Sequence, residues 1–196
     1  MMNAIYILFS YLIGAISFGI LISHIFSLPD PRTIGSKNPG ATNVLRSGKK
    51  LAALFTLLGD ALKGSLTVGL AQYFELSPLM VGLIAMATLI GHIFPIYYGF
   101  KGGKGVATAA GILLMFSWVM GITVLGIWLG VFLMWRYSSL AAIIAAGLSP
   151  VIGFFYGIDF YELIASSVIA LILILRHIDN IKRLINGTES GFRDKK

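Results

Sequence analysis

Three segments of this 196-residue chain gather basic side chains together with glycine, hydroxyl and amide residues. They read GSKNPGATNVLR at residues 35–46, FKGGKGVAT at residues 100–108 and RHIDNIKRL at residues 176–184, the last followed by GTE at residues 187–189. Arginine and lysine neutralise phosphate groups, and glycine lets the backbone come close to a ligand. These residue types therefore indicate binding of phosphate compounds.

The first segment combines turn-forming residues with groups that can hydrogen-bond an anion. Its hydroxyl and amide side chains are candidate phosphate ligands, namely Ser36, Asn38, Thr42 and Asn43. Arg46 adds a planar guanidinium that matches the geometry of phosphate. Thr42 or Asn43 could also cap a helix whose free N–H groups hold an anion. An ordinary turn with topological charge is the alternative interpretation.

The second segment places Lys104 among three glycines, which are Gly102, Gly103 and Gly105. The glycines permit close approach of the backbone to a ligand whose charge Lys104 can contact. A Walker A loop is excluded, because it needs a longer spacing and a serine or threonine directly after the lysine. The segment opens an apolar run, so a helix N-terminus adds partial positive charge, and Thr108 joins the candidate ligands. A flexible charged loop is the alternative.

The third segment carries candidate acid–base and positioning groups if a helix continues through it. His177 and Asn180 are three residues apart and would share one helix face. Arg176, Asp179 and Arg183 would form a neighbouring stripe whose charges can pair, and Arg183 is a further candidate phosphate ligand. A structural histidine at a membrane boundary is the alternative interpretation.

Other polar residues are expected to support the site. Asp60 and Lys63 lie inside an apolar run, where ionisable groups usually pair or face the interior of the helix bundle. Their spacing allows an ion pair, so structural linkage and site support both remain open. His92, shortly before a proline, is expected to be a satisfied supporting histidine. Ser139 could join the site or simply cap a helix.

Several kinds of chemistry are excluded by composition and spacing. The chain has no cysteine, which removes disulfides, thiolate metal sites and a cysteine nucleophile. No metal-binding spacing of histidine and carboxylate residues and no G-x-S-x-G motif is present, so neither a metal site nor a cofactor is expected. Two classes remain for a site that binds phosphate: an enzyme that joins a phosphorylated solute to a lipid, and a transporter of a phosphorylated solute.

The elements that must position these segments are membrane helices. The mean hydropathy is +0.88 and only 12% of residues are charged, which is typical of an integral membrane protein. Fourteen of the fifteen lysine and arginine residues lie in four islands, at residues 32–50, 101–104, 136 and 176–196. Cytoplasmic loops of membrane proteins carry such an excess. The net charge of +7 is therefore assigned to topology and anionic ligands, and no nucleic acid is expected as a partner.

Seven membrane-spanning helices place all four islands on one side. The apolar runs are residues 4–27, 51–73, 79–100, 106–135, 140–158 and 163–175. As one helix, residues 106–135 would be ~45 Å long against a hydrocarbon core of ~30 Å, and as two helices each would be short. We predict two helices that turn around Ser117 to Gly121, because one span would leave Arg136 and the basic C-terminal tail on the outer side. The last run is short enough to be interfacial or re-entrant instead.

This count gives an all-α integral membrane protein with its N-terminus extracytoplasmic and its C-terminus cytoplasmic. The first run lacks the preceding basic residues of a signal peptide, so we expect it to remain as a helix. We expect one transmembrane domain, residues 1–196, with cytoplasmic loops at about residues 28–50, 100–105, 136–139 and 176–196. The polar segments then lie at the inner boundary. A transporter site would lie near the midplane, so this position favours an interfacial enzyme.

The three segments together resemble the motifs of the bacterial PlsY family, in order and over nearly the whole chain. The family comprises acyl-phosphate-dependent glycerol-3-phosphate acyltransferases of phospholipid synthesis. Lys37 departs from the resemblance, since the family usually has glycine at that position. The resemblance implies an inner-membrane enzyme that makes 1-acyl-glycerol-3-phosphate (lysophosphatidic acid) and phosphate, and does not use acyl-CoA or acyl carrier protein.

The implied partners are acyl phosphate, glycerol 3-phosphate, membrane lipid and the enzyme that supplies acyl phosphate. Arg46, Lys104 and the loop N–H groups would neutralise the phosphates and stabilise charge at the carbonyl. His177, Asn180 and Lys104 are the expected catalytic residues. The proton acceptor for the attacking hydroxyl is left open between His177 and a phosphate oxygen of the substrate. The H-x4-D pair of the other acyltransferase class is absent.

Overall fold

The protein, seen in a computed structural model that describes residues 2–192, is all-helical over that range. The ten α-helices of these residues are α1 (Met2–Gly14), α2 (Phe18–Ile25), α3 (Ala41–Leu45), α4 (Lys50–Tyr73), α5 (Pro78–Ile93), α6 (Val106–Phe116), α7 (Trp118–Trp135), α8 (Ser138–Phe155), α9 (Phe160–Arg176) and α10 (Ile178–Ile185). One 3-10 turn, Ile96–Tyr98, follows α5. The end of the last basic island, residues 193–196, lies outside the described residues.

Fewer helices than predicted meet the length of a membrane span on their own. Four of those described are long and apolar enough, and the number rises to six if each of two bent helix pairs is one span. The remaining predicted span corresponds to α6, whose 11 residues make a helix only ~16 Å long. Membrane-spanning helices are therefore present, and the number of crossings is taken up below as a proposal.

Two predicted helices are broken. The first apolar run divides into α1 and α2, which meet at an angle of 43°. The carbonyl of Ile16, freed at this break, accepts a hydrogen bond from Lys63 Nζ at 2.7 Å. The last helix does not continue into the third segment, the condition on which a shared face of His177 and Asn180 depended, because α9 ends at Arg176 and α10 leaves at 56°. His177 lies at this bend rather than on a continuous helix face.

The long run of residues 106–135 divides as the sequence indicates. α6 ends at Phe116, and Ser117 begins α7 with its hydroxyl oxygen accepting a hydrogen bond from Met120 N at 3.4 Å. The predicted loop at residues 136–139 is shorter than expected, because only Arg136 and Tyr137 separate α7 from α8.

Close helix packing brings the start of α6 against α4. A side chain at Gly64 would lie 2.3 Å from Thr108 O, and one at Gly111 would lie 2.0 Å from Ala61 O. Both positions require glycine, and the two helix backbones approach closely as small residues allow in membranes. α5 packs on α1, α4 and α9, and the buried core lies around it and the facing sides of α6 and α8. The loop between α5 and α6 is thereby held near the centre of one end of the bundle.

Candidate active site

All three polar segments line one cavity of about 980 Å³ at one end of the helix bundle. Its polar wall includes many of the predicted residues, namely Ser36, Asn38, Thr42, Asn43, Arg46, Lys104, Gly105, Ser139, His177, Asn180 and Arg183. Arg136, which the sequence marked only as topological charge, also lines it. The structure thus brings residues from four parts of the chain to one place.

The first segment is folded around the buried side chain of Asn43. Its Oδ1 accepts a hydrogen bond from Ser36 N at 3.0 Å, and its Nδ2 donates to Pro31 O at 2.7 Å and to Ile34 O at 3.1 Å. Asn43 therefore shapes the loop, and its amide is already engaged, which corrects its assignment as a free phosphate ligand. The helix cap predicted at Thr42 or Asn43 is also corrected, since α3 begins after Gly40.

Lys37 has a backbone conformation that explains why its position favours glycine. Its φ is +56°, in the left-handed region that side chains other than glycine adopt at a cost. The lysine is exposed and lines the mouth of the cavity. The chain thus carries an additional charge at the entrance in a strained backbone position.

Arg46 and Thr42 connect the first segment to distant parts of the chain. Arg46 Nη2 donates to Ser190 O at 3.3 Å, and Thr42 Oγ1 lies 3.2 Å from Ser138 Oγ. These contacts tie the segment to the C-terminal residues and to the start of α8. Both side chains remain at the cavity wall, where they can reach a ligand.

The glycine segment presents Lys104 to the cavity but turns other predicted ligands away from it. Gly102 N donates to Ile93 O and Gly103 N donates to His92 O, each at 3.2 Å. Thr108 is fully buried, and its Oγ1 lies 3.1 Å from His92 Nδ1. The structure therefore corrects the assignment of Gly102, Gly103 and Thr108 as phosphate ligands, because their polar groups are bonded to α5.

The bend between α9 and α10 directs His177 and Asn180 into the cavity. His177 Nδ1 lies 2.8 Å from Leu173 O, and since a carbonyl oxygen only accepts, Nδ1 carries the proton. Nε2 then has a free lone pair. Asn180 Oδ1 accepts a hydrogen bond from Lys104 Nζ, which joins the second segment to the third.

Glu189 links the polar wall and was missed as a site residue. Its Oε1 accepts hydrogen bonds from Ser139 Oγ and Asn180 Nδ2, both at 2.6 Å. Its Oε2 accepts from Arg183 Nε at 2.7 Å. This pairing corrects the expected charge stripe on α10, because Arg183 pairs with Glu189 rather than with Asp179. It also shows Ser139 in the site and not as a helix cap.

Burial and neighbouring charges shift the acid–base behaviour of the wall. The pKa of Lys104 is lowered to about 8, chiefly by burial; the positive charges of Arg183 and Arg176 add to this lowering and the negative charge of Glu189 opposes it. Burial also lowers the pKa of His177, which follows the last residue of α9, to about 4. Burial would raise the pKa of Glu189, but hydrogen bonds from Ser139, Asn180 and Arg183 outweigh it and the pKa is lowered. At neutral pH the wall thus holds a charged lysine, a neutral histidine and a carboxylate.

The predicted supporting residues meet beside the cavity. Lys63 Nζ lies 2.9 Å from Asp60 Oδ1, which confirms the pair expected from their spacing. His92 Nδ1 lies 3.5 Å from the same oxygen. Among residues 2–192 no group of three histidine or acidic side chains is arranged to hold a metal ion.

The deeper part of the cavity is apolar. It is lined by small, branched and aromatic residues of four helices, including Leu113, Val124, Trp128, Ala142, Ala145, Ala146, Ile169, Ala170 and Leu173. From Ser138 to Ser149, both of which line the cavity, α8 rises ~16 Å. Leu54, Leu57 and Leu125 line it too and are themselves exposed on the outer surface of the bundle. The cavity therefore joins a polar end to an apolar end that reaches the lipid-facing surface.

Known proteins are similar over the whole described length. The family model for glycerol-3-phosphate acyltransferase matches residues 4–187. The chain is 54% identical to a glycerol-3-phosphate acyltransferase of Methylobacillus flagellatus over 100% of both chains. It is 57% identical to one of Nitrosospira multiformis over 94% of this chain and 93% of the relative.

Two solved structures share the fold. Both are crystal structures of PlsY, an integral membrane glycerol 3-phosphate acyltransferase, in a glycerol 3-phosphate form and a lysophosphatidic acid form. The glycerol 3-phosphate form matches with a TM-score of 0.93 at 36% identity, and the lysophosphatidic acid form with 0.92 at 35%. Each match covers 98% of this chain and 96% of the solved chain. Family model, relatives and fold agree, and the chain therefore belongs to the glycerol-3-phosphate acyltransferase family, as an integral membrane acyltransferase.

Proposed function

We propose that this acyltransferase moves an acyl group from acyl phosphate to the sn-1 hydroxyl of glycerol 3-phosphate, the first step of phospholipid synthesis. The observation that carries the proposal is the single cavity with a basic polar end and an apolar end. An acyl phosphate has the same division, with an anionic head and a hydrocarbon tail. The solved relatives in glycerol 3-phosphate and lysophosphatidic acid forms support the acceptor and the product.

In this reaction the acceptor hydroxyl oxygen attacks the acyl carbonyl carbon. The bond between that carbon and the bridging phosphate oxygen breaks, and inorganic phosphate leaves with the bonding electrons. The hydroxyl proton passes to a phosphate oxygen. Lys104, Arg46 and Arg183 lie where they can neutralise the two phosphates and the developing negative charge.

The pKa values favour phosphate over His177 as the proton acceptor. His177 has a pKa of about 4, whereas a phosphate monoester takes up its second proton near a pKa of about 6. The phosphate oxygen is thus the stronger base. We assign His177 Nε2 the role of accepting the hydrogen bond of the attacking hydroxyl, which orients it, with Asn180 holding Lys104 beside it.

The same cavity supports a seven-crossing topology with the site on the cytoplasmic face of a bacterial inner membrane. Lys104 precedes α6, and Arg136 follows α7, yet both line one cavity. The segment between them, α6 and α7, must therefore cross away from this side of the membrane and return to it. If α1 and α2 form one crossing and α6 forms a short one, all the basic loops lie on one side of the membrane. Lysine and arginine are enriched in cytoplasmic loops, so we assign this side to the cytoplasm. We propose that residues 1–196 form one such domain.

The enzyme that supplies acyl phosphate is a proposed partner, because a donor with a long tail and a labile anhydride is poorly suited to free diffusion in water. The apolar end of the cavity offers that tail a way in from the lipid.

The decisive test is a product assay with purified protein in lipid. Acyl phosphate and glycerol 3-phosphate, without added metal, should give 1-acyl-glycerol-3-phosphate and one phosphate per turnover. Acyl-CoA should not replace the donor. A folded sample that forms no product from acyl phosphate would refute the donor assignment. Uptake of glycerol 3-phosphate into proteoliposomes without acylation would favour the alternative, a transporter of a phosphorylated solute.

A further inference from the structure

A buried polar cluster connects α4, α5 and α6 beside the cavity. It consists of Asp60 and Lys63 on α4, His92 on α5 and Thr108 on α6, and all four side chains are buried. Asp60 and His92 also border the cavity. The charged groups of Asp60 and Lys63 nevertheless face each other, and His92 Nδ1 faces Asp60, rather than the polar wall of the cavity. Ionisable groups at this depth in a membrane protein are costly, so the cluster needs a purpose beyond filling space.

His92 is not oriented as a catalytic base. Its Nδ1 faces Thr108 Oγ1 at 3.1 Å and Asp60 Oδ1 at 3.5 Å. Its other nitrogen, Nε2, would lie 2.2 Å from a β-carbon added to Gly103. The ring therefore lies between the Asp60 and Thr108 side chains and the backbone of the glycine loop, and each of its two nitrogens faces protein.

The backbone of the same histidine holds the loop as well. Gly103 N donates to His92 O and Gly102 N donates to Ile93 O, so the two residues before Lys104 are bonded to the last turn of α5. After Lys104, a side chain at Gly105 would lie 2.5 Å from Leu89 Cδ1 on α5. Within residues 102–105, Lys104 is the one residue with a side chain, and it lines the cavity. The glycines on both sides of it pack against α5.

Asp60 and Lys63 fix the position of His92. Lys63 Nζ lies 2.9 Å from Asp60 Oδ1 and donates to Ile16 O at 2.7 Å, which anchors the pair to the break between α1 and α2. Asp60 Oδ1 has no hydrogen bond within residues 2–192, since the lysine approaches it as an ion pair and the imidazole lies at 3.5 Å. The negative charge of Asp60 Oδ1 faces His92 Nδ1, so it favours the tautomer with the proton on that nitrogen and attracts the ring in this position beside the loop.

We propose that Asp60, Lys63 and His92 are positioning residues that seat the glycine loop and thereby aim Lys104 at the substrate phosphate. The inference rests on the proposed phosphate-binding role of Lys104. Misplacing a charged group by about 1 Å can cost about 100-fold in rate, so a positioning cluster can matter without touching substrate.

The test is a mutant cycle between His92 and Lys104. His92→Phe keeps a ring against Gly103 but removes both Nδ1 contacts, and we expect kcat/KM for glycerol 3-phosphate to fall about tenfold. In a Lys104→Met background the same change should cost less than about twofold, because the side chain that was being aimed is absent. Equal losses in the two backgrounds would overturn the proposal. If Lys104→Met turns over too slowly, the cycle is measured as calorimetric Kd for glycerol 3-phosphate.

Two further variants separate positioning from general stability. Thr88→Val removes a buried hydrogen bond of 2.8 Å between Thr88 and Thr67, which joins the same helices one turn away from His92. It should lower the thermal unfolding temperature while leaving kcat/KM within about twofold. A loss of kcat/KM as large as that of His92→Phe would attribute the effect to helix packing and overturn the proposal.

The second variant is Asp60→Asn combined with Lys63→Met, which removes both charges together and avoids a lone buried charge. If His92→Phe fails to fold, this double variant takes its place in the mutant cycle with Lys104→Met. We again expect a smaller loss of kcat/KM in the Lys104→Met background than in the wild type. Wild-type protein that forms no product refutes the proposed function instead. Additive effects in an active enzyme refute only the positioning role.

Discussion

Lys104 carries its charge in a partly buried site, which makes its protonation sensitive to pH in the alkaline range. With a pKa of about 8, Lys104 is mostly the charged ammonium at pH 7, and this charge is lost as the pH rises through 8. We expect kcat/KM for glycerol 3-phosphate to fall over that interval in the free enzyme, because a neutral amine binds phosphate weakly. The measurement is a pH profile of kcat/KM from pH 6.5 to about 10.

Replacement by arginine provides the comparison for this profile. Lys104→Arg keeps a charge that cannot be lost in this range, so its kcat/KM, although lower, should stay level above pH 8. Lys101→Arg changes the exposed lysine of the same loop and should decline as the wild type does. If Lys104→Arg declines as well, the titrating group is not Lys104.

Glu189 gives a second prediction at the level of single residues. Glu189→Gln removes the charge that three donors share and places an amide N–H or a weaker acceptor against Arg183. Hydrogen bonds to charged groups contribute about 1.5–3 kcal/mol, so we expect kcat/KM to fall at least about tenfold. Asp179→Asn, an exposed acid on α10, is the matched control and should have little effect. Equal activity of wild type and Glu189→Gln would contradict a structural role for this carboxylate.

The sequence identified polar residues that the fold brings together, and it failed where the direction of a side chain decides. Lys104, His177 and Asn180 were predicted from the composition and spacing of their segments, and all three line the cavity. Thr108 was predicted to bind phosphate because it lies near the start of a helix. Only the packing of α6 against α5 shows that its hydroxyl faces His92 instead. Glu189 was visible in the GTE triplet, yet its importance depends on the chain folding back onto α8.

At the level of elements, α8 forms one wall of the apolar end of the cavity through its alanines. Ala146→Leu adds a branched side chain where Ala146 is 6% exposed and lines the cavity. We expect activity with long-chain acyl phosphates to fall about tenfold or more, whereas a short-chain acyl phosphate that does not reach Ala146 should keep most of its rate. The measurement is kcat/KM across a series of donor chain lengths.

Leu148→Phe is the matched control on the same helix, because Leu148 is 42% exposed and faces away from the cavity. It should leave the chain-length profile unchanged. A uniform loss for all donors in Ala146→Leu would mean that overpacking has disturbed the fold rather than shortened the apolar end.

Most helices could be predicted from the apolar runs, but two of their breaks could not. The division at Ser117 was predicted because thirty apolar residues exceed what one crossing needs and because two crossings keep all four basic islands on one side. The break between α1 and α2 has no such signal, since the freed Ile16 carbonyl is satisfied by Lys63 from another helix. The bend at His177 is equally hidden, because a helical continuation has the same local pattern and only the packing of α10 on α8 selects the bend.

For the whole molecule, the absence of cysteine makes the proposed topology directly testable. Single substitutions Glu75→Cys and Lys101→Cys place one thiol at each proposed face, both at exposed positions. In intact spheroplasts, a membrane-impermeant maleimide should label position 75 and leave position 101 unlabelled. After permeabilisation both should react. Labelling of position 101 in intact spheroplasts would reverse the orientation, and equal labelling at both would contradict an odd number of crossings between them.

The exposed leucines that border the cavity have a consequence for how substrates are supplied. Leu54 and Leu57 on α4 face Leu125 on α7 across an opening, and these two helices make few contacts along the described chain. Under the proposed function, the tailed donor enters and the tailed product leaves sideways, within one leaflet, while glycerol 3-phosphate arrives from water. The enzyme then works between a two-dimensional and a three-dimensional reservoir, so its saturation by donor follows the amount per membrane area and its saturation by acceptor follows the amount per volume.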